Sequence, residues 1–230
     1  MARFGAFLTA FVAIGLWSGS AAALPLTVLS FEGLQDSEQI LDFYNGGTGS
    51  LGSSGPNYGI GFGADALSLI DSDAGGSGNF ANEPSPDTIA FFLTGPGVVM
   101  NVASGFDTGF SFFYSSTVVA TVDVYDGLNA TGNLLGTLNL AAQAGASEGC
   151  QLPGDPNGYF ACWDPVGVAF AGTAKSANFG GAANVTGFDS ITLGSDVPDP
   201  DPVIPEPGAT ALFGVSALLL GLVGRRSNRR

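Results

Sequence analysis

Between residues 24 and 197 apolar side chains recur at every second position, and no stretch of useful length repeats them every third or fourth. In TVVATVDVYDG, Val118, Ala120, Val122 and Val124 fall on one face of an extended chain, while Thr121, Asp123 and Tyr125 fall on the other. In FDTGFSFFYSS, Phe106, Phe110, Phe112 and Tyr114 share a side. LTVLSFE, TIAFFLT, GVVMNV, NLLGTLNL, VGVAF and FDSITLG read as further strands. Turn-forming stretches such as GGTGSLGSSGPN, DAGGSGN and TGPG separate them. With 36 glycines, 18 phenylalanines and only 11% charged residues, the chain lacks the Lys, Glu and Arg that a helical bundle needs. The expectation is an all-β ectodomain, a β-sandwich or jelly roll over residues 24–197. No internal repeat is visible, which disfavours a solenoid or propeller.

Charge is distributed unevenly. Of the six basic residues, Arg3, Arg225, Arg226, Arg229 and Arg230 lie at the ends. Lys175 alone faces all 20 carboxylates, so the chain between Arg3 and Arg225 carries −19. Such a surface repels nucleic acid and anionic headgroups, which excludes a nucleic-acid partner and leaves divalent cations and neutral sugars open.

The N-terminus predicts an export signal over residues 1–23. Arg3 precedes an apolar run from Phe4 to Trp17, and Ala21-Ala22-Ala23 forms a small-x-small cleavage site. The run is shorter than the roughly 20 residues of a comfortable membrane span. Cleavage after Ala23 would leave Leu24 as the mature terminus. The only cysteines, Cys150 and Cys162, flank a turn-rich loop of 11 residues that closes readily into a disulfide in an oxidising compartment. A metal site is the competing reading, but two cysteines without histidine cannot complete a zinc tetrahedron.

The C-terminus has three parts in a fixed order. Residues 198–208 are a proline-rich linker holding Pro205-Glu206-Pro207, too poor in backbone donors for a sheet. Residues 209–224 are apolar or small, a helix of roughly 24 Å against about 30 Å of hydrocarbon. Residues 225–230 carry four arginines, which place that end in the cytoplasm. A short permanent anchor is one reading. The order resembles the PEP-CTERM sorting signal of Gram-negative bacteria, here with Ile204 before the motif where valine is common. The resemblance covers residues 203–230. It implies recognition by a membrane-embedded exosortase that cleaves near the motif, transient residence in the inner membrane, and a host that makes extracellular polysaccharide. The protein would end at the cell surface or outside the cell.

Catalysis meets an inventory problem. Without histidine no Ser-His-Asp or Cys-His arrangement and no histidine metal centre can be built. Carboxylate pairs for glycoside hydrolysis are available, but no motif points at one. The expectation is therefore not an enzyme but a surface or matrix protein associated with exopolysaccharide, of a carbohydrate-binding kind. A self-associating adhesive protein and, behind it, a secreted glycan hydrolase are the alternatives. Most phenylalanines at alternating positions read as core. Tyr44, Tyr58, Tyr159 and Trp163 sit in Gly- and Pro-rich loops and are the candidate ligand contacts.

Residues 31–62, with Phe31-Glu32, Asn45-Gly46-Gly47 and Asn57-Tyr58-Gly59, look like the opening of many PEP-CTERM ectodomains, a likeness that carries no assigned activity. Asp71-Ser72-Asp73 resembles the start of an EF-hand loop, but Gly75 stands in place of the third acidic ligand. Similarity to galactose-binding-like jelly rolls, where first and last strands meet, would make Glu32 and Asp189 calcium ligands. Asp36 or Asn45 and backbone oxygens would complete the shell.

Overall fold

The computed structural model describes residues 26–143, 150, 159–180 and 183–199. Ala23, the Pro205-Glu206-Pro207 motif and the apolar segment before the arginines lie outside them. No helix among the described residues is long and apolar enough to cross a membrane.

Among the described residues eleven antiparallel strands form two sheets. The first holds β3 (Leu67–Ile70), β4 (Thr88–Phe91), β11 (Thr186–Leu193), β6 (Gly109–Ser116) and β9 (Asp164–Ala169) in that order, with β1 (Thr27–Leu29) added to β11. The second holds β2 (Ile60–Phe62), β5 (Gly97–Phe106), β10 (Ala174–Gly180), β7 (Ala120–Tyr125) and β8 (Leu134–Leu140). From β4 onward consecutive strands cross between the sheets, except for the β7–β8 pair. First and last strands meet as expected, with Thr27 opposite Leu193 and Leu29 opposite Ile191.

Alternation builds the core. Ala120, Val122 and Val124 are buried while Thr121 is exposed, the pattern expected of a strand with one wet face. Val118 lies before the strand and is partly exposed. Phe110, Phe112 and Tyr114 point inward from β6, Phe188 meets Phe112 edge-on, and Phe179 and Phe188 meet each other edge-on from opposite sheets with centroids 4.9 Å apart. Phe106, grouped with them in the sequence, ends β5 in the other sheet and reaches Phe110 across the core at 5.7 Å.

β11 departs from the alternating pattern, since all eight of its residues are buried. Its outward side chains are covered by loops. Near Asp189 the register with β6 shifts, and Ser190 takes a positive φ of 49°. The chain beyond β11 turns back over β6 and β9. Ser111 Oγ donates to the Ser195 carbonyl at 2.9 Å, Pro198 is buried, and Asp199 N donates to Thr192 Oγ1 at 3.1 Å. Pro198 and Asp199 therefore pack on the sandwich. Gly109 and Gly167 permit this crossing: a Cβ on Gly109 would stand 2.5 Å from Asp196 N, and one on Gly167 would stand 2.6 Å from the Asp196 carbonyl carbon.

Candidate functional site

An open groove of about 730 Å³ lies at the end of the sandwich where β1 begins and β11 ends. Ile60, Val102, Phe106 and Leu193 supply apolar surface from both sheets. Thr27, Ser104, Asp107, Thr108 and Thr173 supply polar groups, and Tyr58 supplies an aromatic ring. Asp107 and Thr108 form a two-residue corner by which the chain leaves β5 in one sheet and enters β6 in the other. Thr108 occupies the left-handed region at φ 74°, a costly position for a β-branched residue.

Tyr58 is 43% exposed and stacks on Tyr44 at a centroid distance of 6.0 Å and an interplanar angle of 12°. Its backbone is fixed by the same partner: Tyr58 N and Ile60 N both donate to the Tyr44 carbonyl, at 2.8 and 3.2 Å. Tyr44 itself is buried against Phe31 and Phe43, and its hydroxyl accepts the Phe31 N–H at 2.7 Å. Burial drives the Tyr44 phenol far above its usual range. Tyr44 is thus a core residue, contrary to its candidacy as a ligand contact, and it serves as the backing for Tyr58. A loop rich in glycine still closes over the core here, which is why composition pointed the wrong way.

Tyr159 and Trp163 belong to another region. Cys150 and Cys162 are joined in a disulfide, with Cα atoms 5.0 Å apart. Beside it Phe160 pairs with Phe80, and Trp163 meets Phe80 edge-on at 6.2 Å. The Trp163 indole N–H donates to the Ala81 carbonyl at 3.1 Å. With its polar group so engaged, Trp163 fastens the disulfide segment to the loop before β4. Tyr159 remains exposed.

The residues expected to bind calcium are brought together only in part. Glu32 and Asp189 converge on Ser85. Asp189 Oδ2 accepts Ser85 N at 2.7 Å, and Oδ1 accepts Ser85 Oγ at 2.8 Å and the adjacent Ser190 N. Glu32 Oε1 accepts Thr88 N at 2.8 Å and Asp87 N at 3.0 Å, and Oε2 accepts Thr88 Oγ1 at 3.2 Å. Asp36 instead binds Ile70 N at 3.0 Å and Ser77 Oγ at 2.7 Å, and Asn45 donates to Asp42 Oδ1 at 3.0 Å. Calcium needs six to eight oxygens facing an open point. In the described arrangement the oxygens of Glu32 and Asp189 accept hydrogen bonds from main-chain N–H and hydroxyl groups, and no cluster of three metal-ligating side chains occurs among the described residues.

The arrangement is a clamp. Burial raises the Asp189 carboxyl to about 7; the Ser85 and Ser190 donors offset part of this, and the Glu32 charge adds to it. Burial likewise raises Glu83 to about 7, with Asp71, Asp189 and Asp73 contributing repulsion. Ser85 and Glu83 carried no signal in the sequence beyond their place in a proline-rich turn.

No family model matches the chain, and no curated protein matches it. Among solved structures the chain is similar to a family 6 carbohydrate-binding module, at 15% identity over 57% of this chain and 83% of that one, with a TM-score of 0.35. It is similar to the K2 cleaved adhesin domain of Lys-gingipain at 11% identity over 74% and 98%, with a TM-score of 0.46. A carbohydrate-binding module of Cellvibrio mixtus lichenase 5A shows 10% identity over 57% and 88%, with a TM-score of 0.34. Likenesses this remote bear on neither ligand nor activity.

Proposed function

We propose that this chain is exported through the inner membrane, cut by an exosortase near Pro205-Glu206-Pro207, and retained as a non-catalytic surface or matrix protein associated with extracellular polysaccharide. The observation that carries this reading is the order of the C-terminus: motif, short apolar segment, terminal arginines. The Cys150–Cys162 disulfide fits an oxidising compartment. The last described contact of the domain, at Asp199, precedes Pro205 by only six residues. Six residues span at most roughly 20 Å when fully extended, so a membrane-embedded protease would meet the motif close beneath the domain. The crossing strand order, which we read as a jelly roll, yields a rigid binding scaffold. Absence of histidine and the pairing of both cysteines support binding over catalysis.

The test follows the chain in its host with an epitope inside the ectodomain. In wild-type cells the arginine tail should be absent from the mature protein; deletion of the exosortase, or Ala at Pro205, Glu206 and Pro207, should leave it attached and the protein in the membrane. Identical mature mass and location in all three strains would overturn the reading.

A further inference from the structure

We infer that the groove headed by Tyr58 is a binding site for a neutral glycan. This deepens the polysaccharide association proposed above and rests on it for biological context, though the argument for the site is geometric. The volume of about 730 Å³ lies within the range of small-ligand sites, roughly 300–1,000 Å³. The lining mixes the rings of Tyr58 and Phe106 with aliphatic side chains and hydroxyls, which is the surface that a sugar ring presents in reverse: an apolar C–H face rimmed by hydroxyls.

Tyr58 is prepared for such a contact. One ring face is occupied by Tyr44, and two backbone hydrogen bonds to the Tyr44 carbonyl fix its main chain, so little freedom remains to be lost on binding. An aromatic side chain that is 43% exposed yet held from behind by a buried ring has no packing role that requires its exposure. The corner opposite repeats the theme. Thr108 is held at φ 74°, a strained position for a β-branched residue, and its hydroxyl lies 3.3 Å from Asp107 Oδ1. Strained backbone of this kind gathers at ligand clamps. Asp107 and Thr108 both line the groove.

Charge selects the class of glycan. Asp107 lines the groove and, among the described residues, no basic one does; Lys175 passes beside Gly105 with its aliphatic stem. With the chain between its terminal arginines at −19, a uronic-acid or sulfated polymer would be repelled. A neutral hexose chain meets no such barrier, and Asp107 can accept its hydroxyls.

The test is calorimetric titration of the exported chain, purified from cells that make it, with neutral hexasaccharides of gluco, manno, galacto and xylo configuration and with hexagalacturonic acid. At least one neutral probe should bind, and the uronate should not. Tyr58→Ala should weaken binding about tenfold or more, which is about 1.4 kcal/mol, in a protein that still unfolds in one cooperative transition. Tyr58→Phe should retain affinity, because stacking needs the ring and not the hydroxyl. Absence of binding by every neutral probe, equal binding of the uronate, or full affinity in Tyr58→Ala would each overturn the assignment. Sorting is scored separately by the mass of the mature protein. A processed protein that binds no sugar refutes the groove alone, and a sugar-binding protein that keeps its tail refutes the sorting alone.

Discussion

Asp189, in the middle of β11, is held at both carboxylate oxygens by Ser85, a residue 104 positions earlier in the chain. One residue thereby pins the loop before β4 to the outer face of a strand that is buried on both sides. The Ser85 hydroxyl also lies 3.4 Å from Glu32 Oε1, so the segment after β1 joins the same knot. Three parts of the chain depend on one buried acid.

That acid should make stability depend on pH. Its native pKa, about 7, lies above the ordinary value, so the folded state holds a proton that the unfolded state has released between about pH 4 and 7. Its contribution is fully present below the unfolded value and is lost as pH rises through 7. Glu83 acts in the same direction. The melting temperature should therefore rise on acidification from pH 8 to about 5. Asp189→Asn should flatten that slope, even though its amide must confront a backbone N–H and lower stability overall. A wild-type melting curve independent of pH across this window would exclude a buried titrating acid.

Glu38 predicts the opposite sign at lower pH. Burial works to raise its carboxyl, but donors from Gln35, Ser53 and Leu51 outweigh it and hold the value below the usual range. Oε1 accepts Leu51 N at 2.8 Å and Ser53 N at 3.1 Å, and Oε2 accepts Gln35 N at 2.8 Å. The stability it supplies is present above its unfolded pKa and lost as pH falls through the folded one. Glu38→Ala leaves three backbone donors without an acceptor, which costs about 1–3 kcal/mol for such a group. Hydrogen exchange should show faster opening at Leu51 and Ser53 in the variant; unchanged rates there would remove Glu38 from its role as loop clamp.

Periodicity revealed the strands that bury large side chains and missed those that do not. β6 and β7 are plain because Phe and Val recur at every second position, and β11 because it holds Phe188, Ile191 and Leu193 within eight residues. β10, central in its sheet, escaped notice because AKSANFG fills its inward positions mainly with alanine and serine. β2 and β3, of three and four residues, are too short to show a period. Glu32 and Asp189 converge as the likeness to jelly rolls implied, although Glu32 lies in the turn after β1 and not on the first strand. Their meeting point, Ser85, comes from a loop whose course depends on long-range packing, so no local pattern marks it. Tyr44 and Tyr58 looked equivalent in the sequence, because only the fold decides which ring lies beneath the other.

The disulfide and Trp163 yield a spectroscopic prediction. Replacing Cys150 and Cys162 with serine removes a closed loop of 11 residues, worth roughly 3 kcal/mol in the chain-entropy account. For a domain of this size the melting temperature should fall by about 6–12 °C. Of the two tryptophans, Trp17 falls within the expected signal segment, so Trp163 reports alone in the mature protein. Its half-buried ring rests on Phe80 beside the disulfide. Emission should move to longer wavelength in the double variant below its melting temperature. An unaltered spectrum would mean that Trp163 is held without help from the crosslink.

The segment Ser195–Asp199 depends on two positions that have no side chain. Gly109 and Gly167 lie on neighbouring strands, and the backbone at Asp196 crosses both at distances that no Cβ tolerates. The atoms that would be struck are main-chain atoms, so relief requires the whole segment to lift. Gly167→Val should break the Ser111–Ser195 and Thr192–Asp199 hydrogen bonds and expose Pro198. The destabilisation should be about 1–3 kcal/mol, as for other overpacked sites. Cleavage by a nonspecific protease within residues 195–199 should then be faster than in the wild-type chain. Freed from the sheet, the tether before Pro205 lengthens by four residues, or roughly 13 Å of extended chain. If exosortase cleavage depends on how closely the domain stands over the motif, Gly167→Val should change the rate of tail removal in cells. Equal rates of protease cleavage within residues 195–199 in Gly167→Val and wild type would show that the segment is not clamped by these glycines.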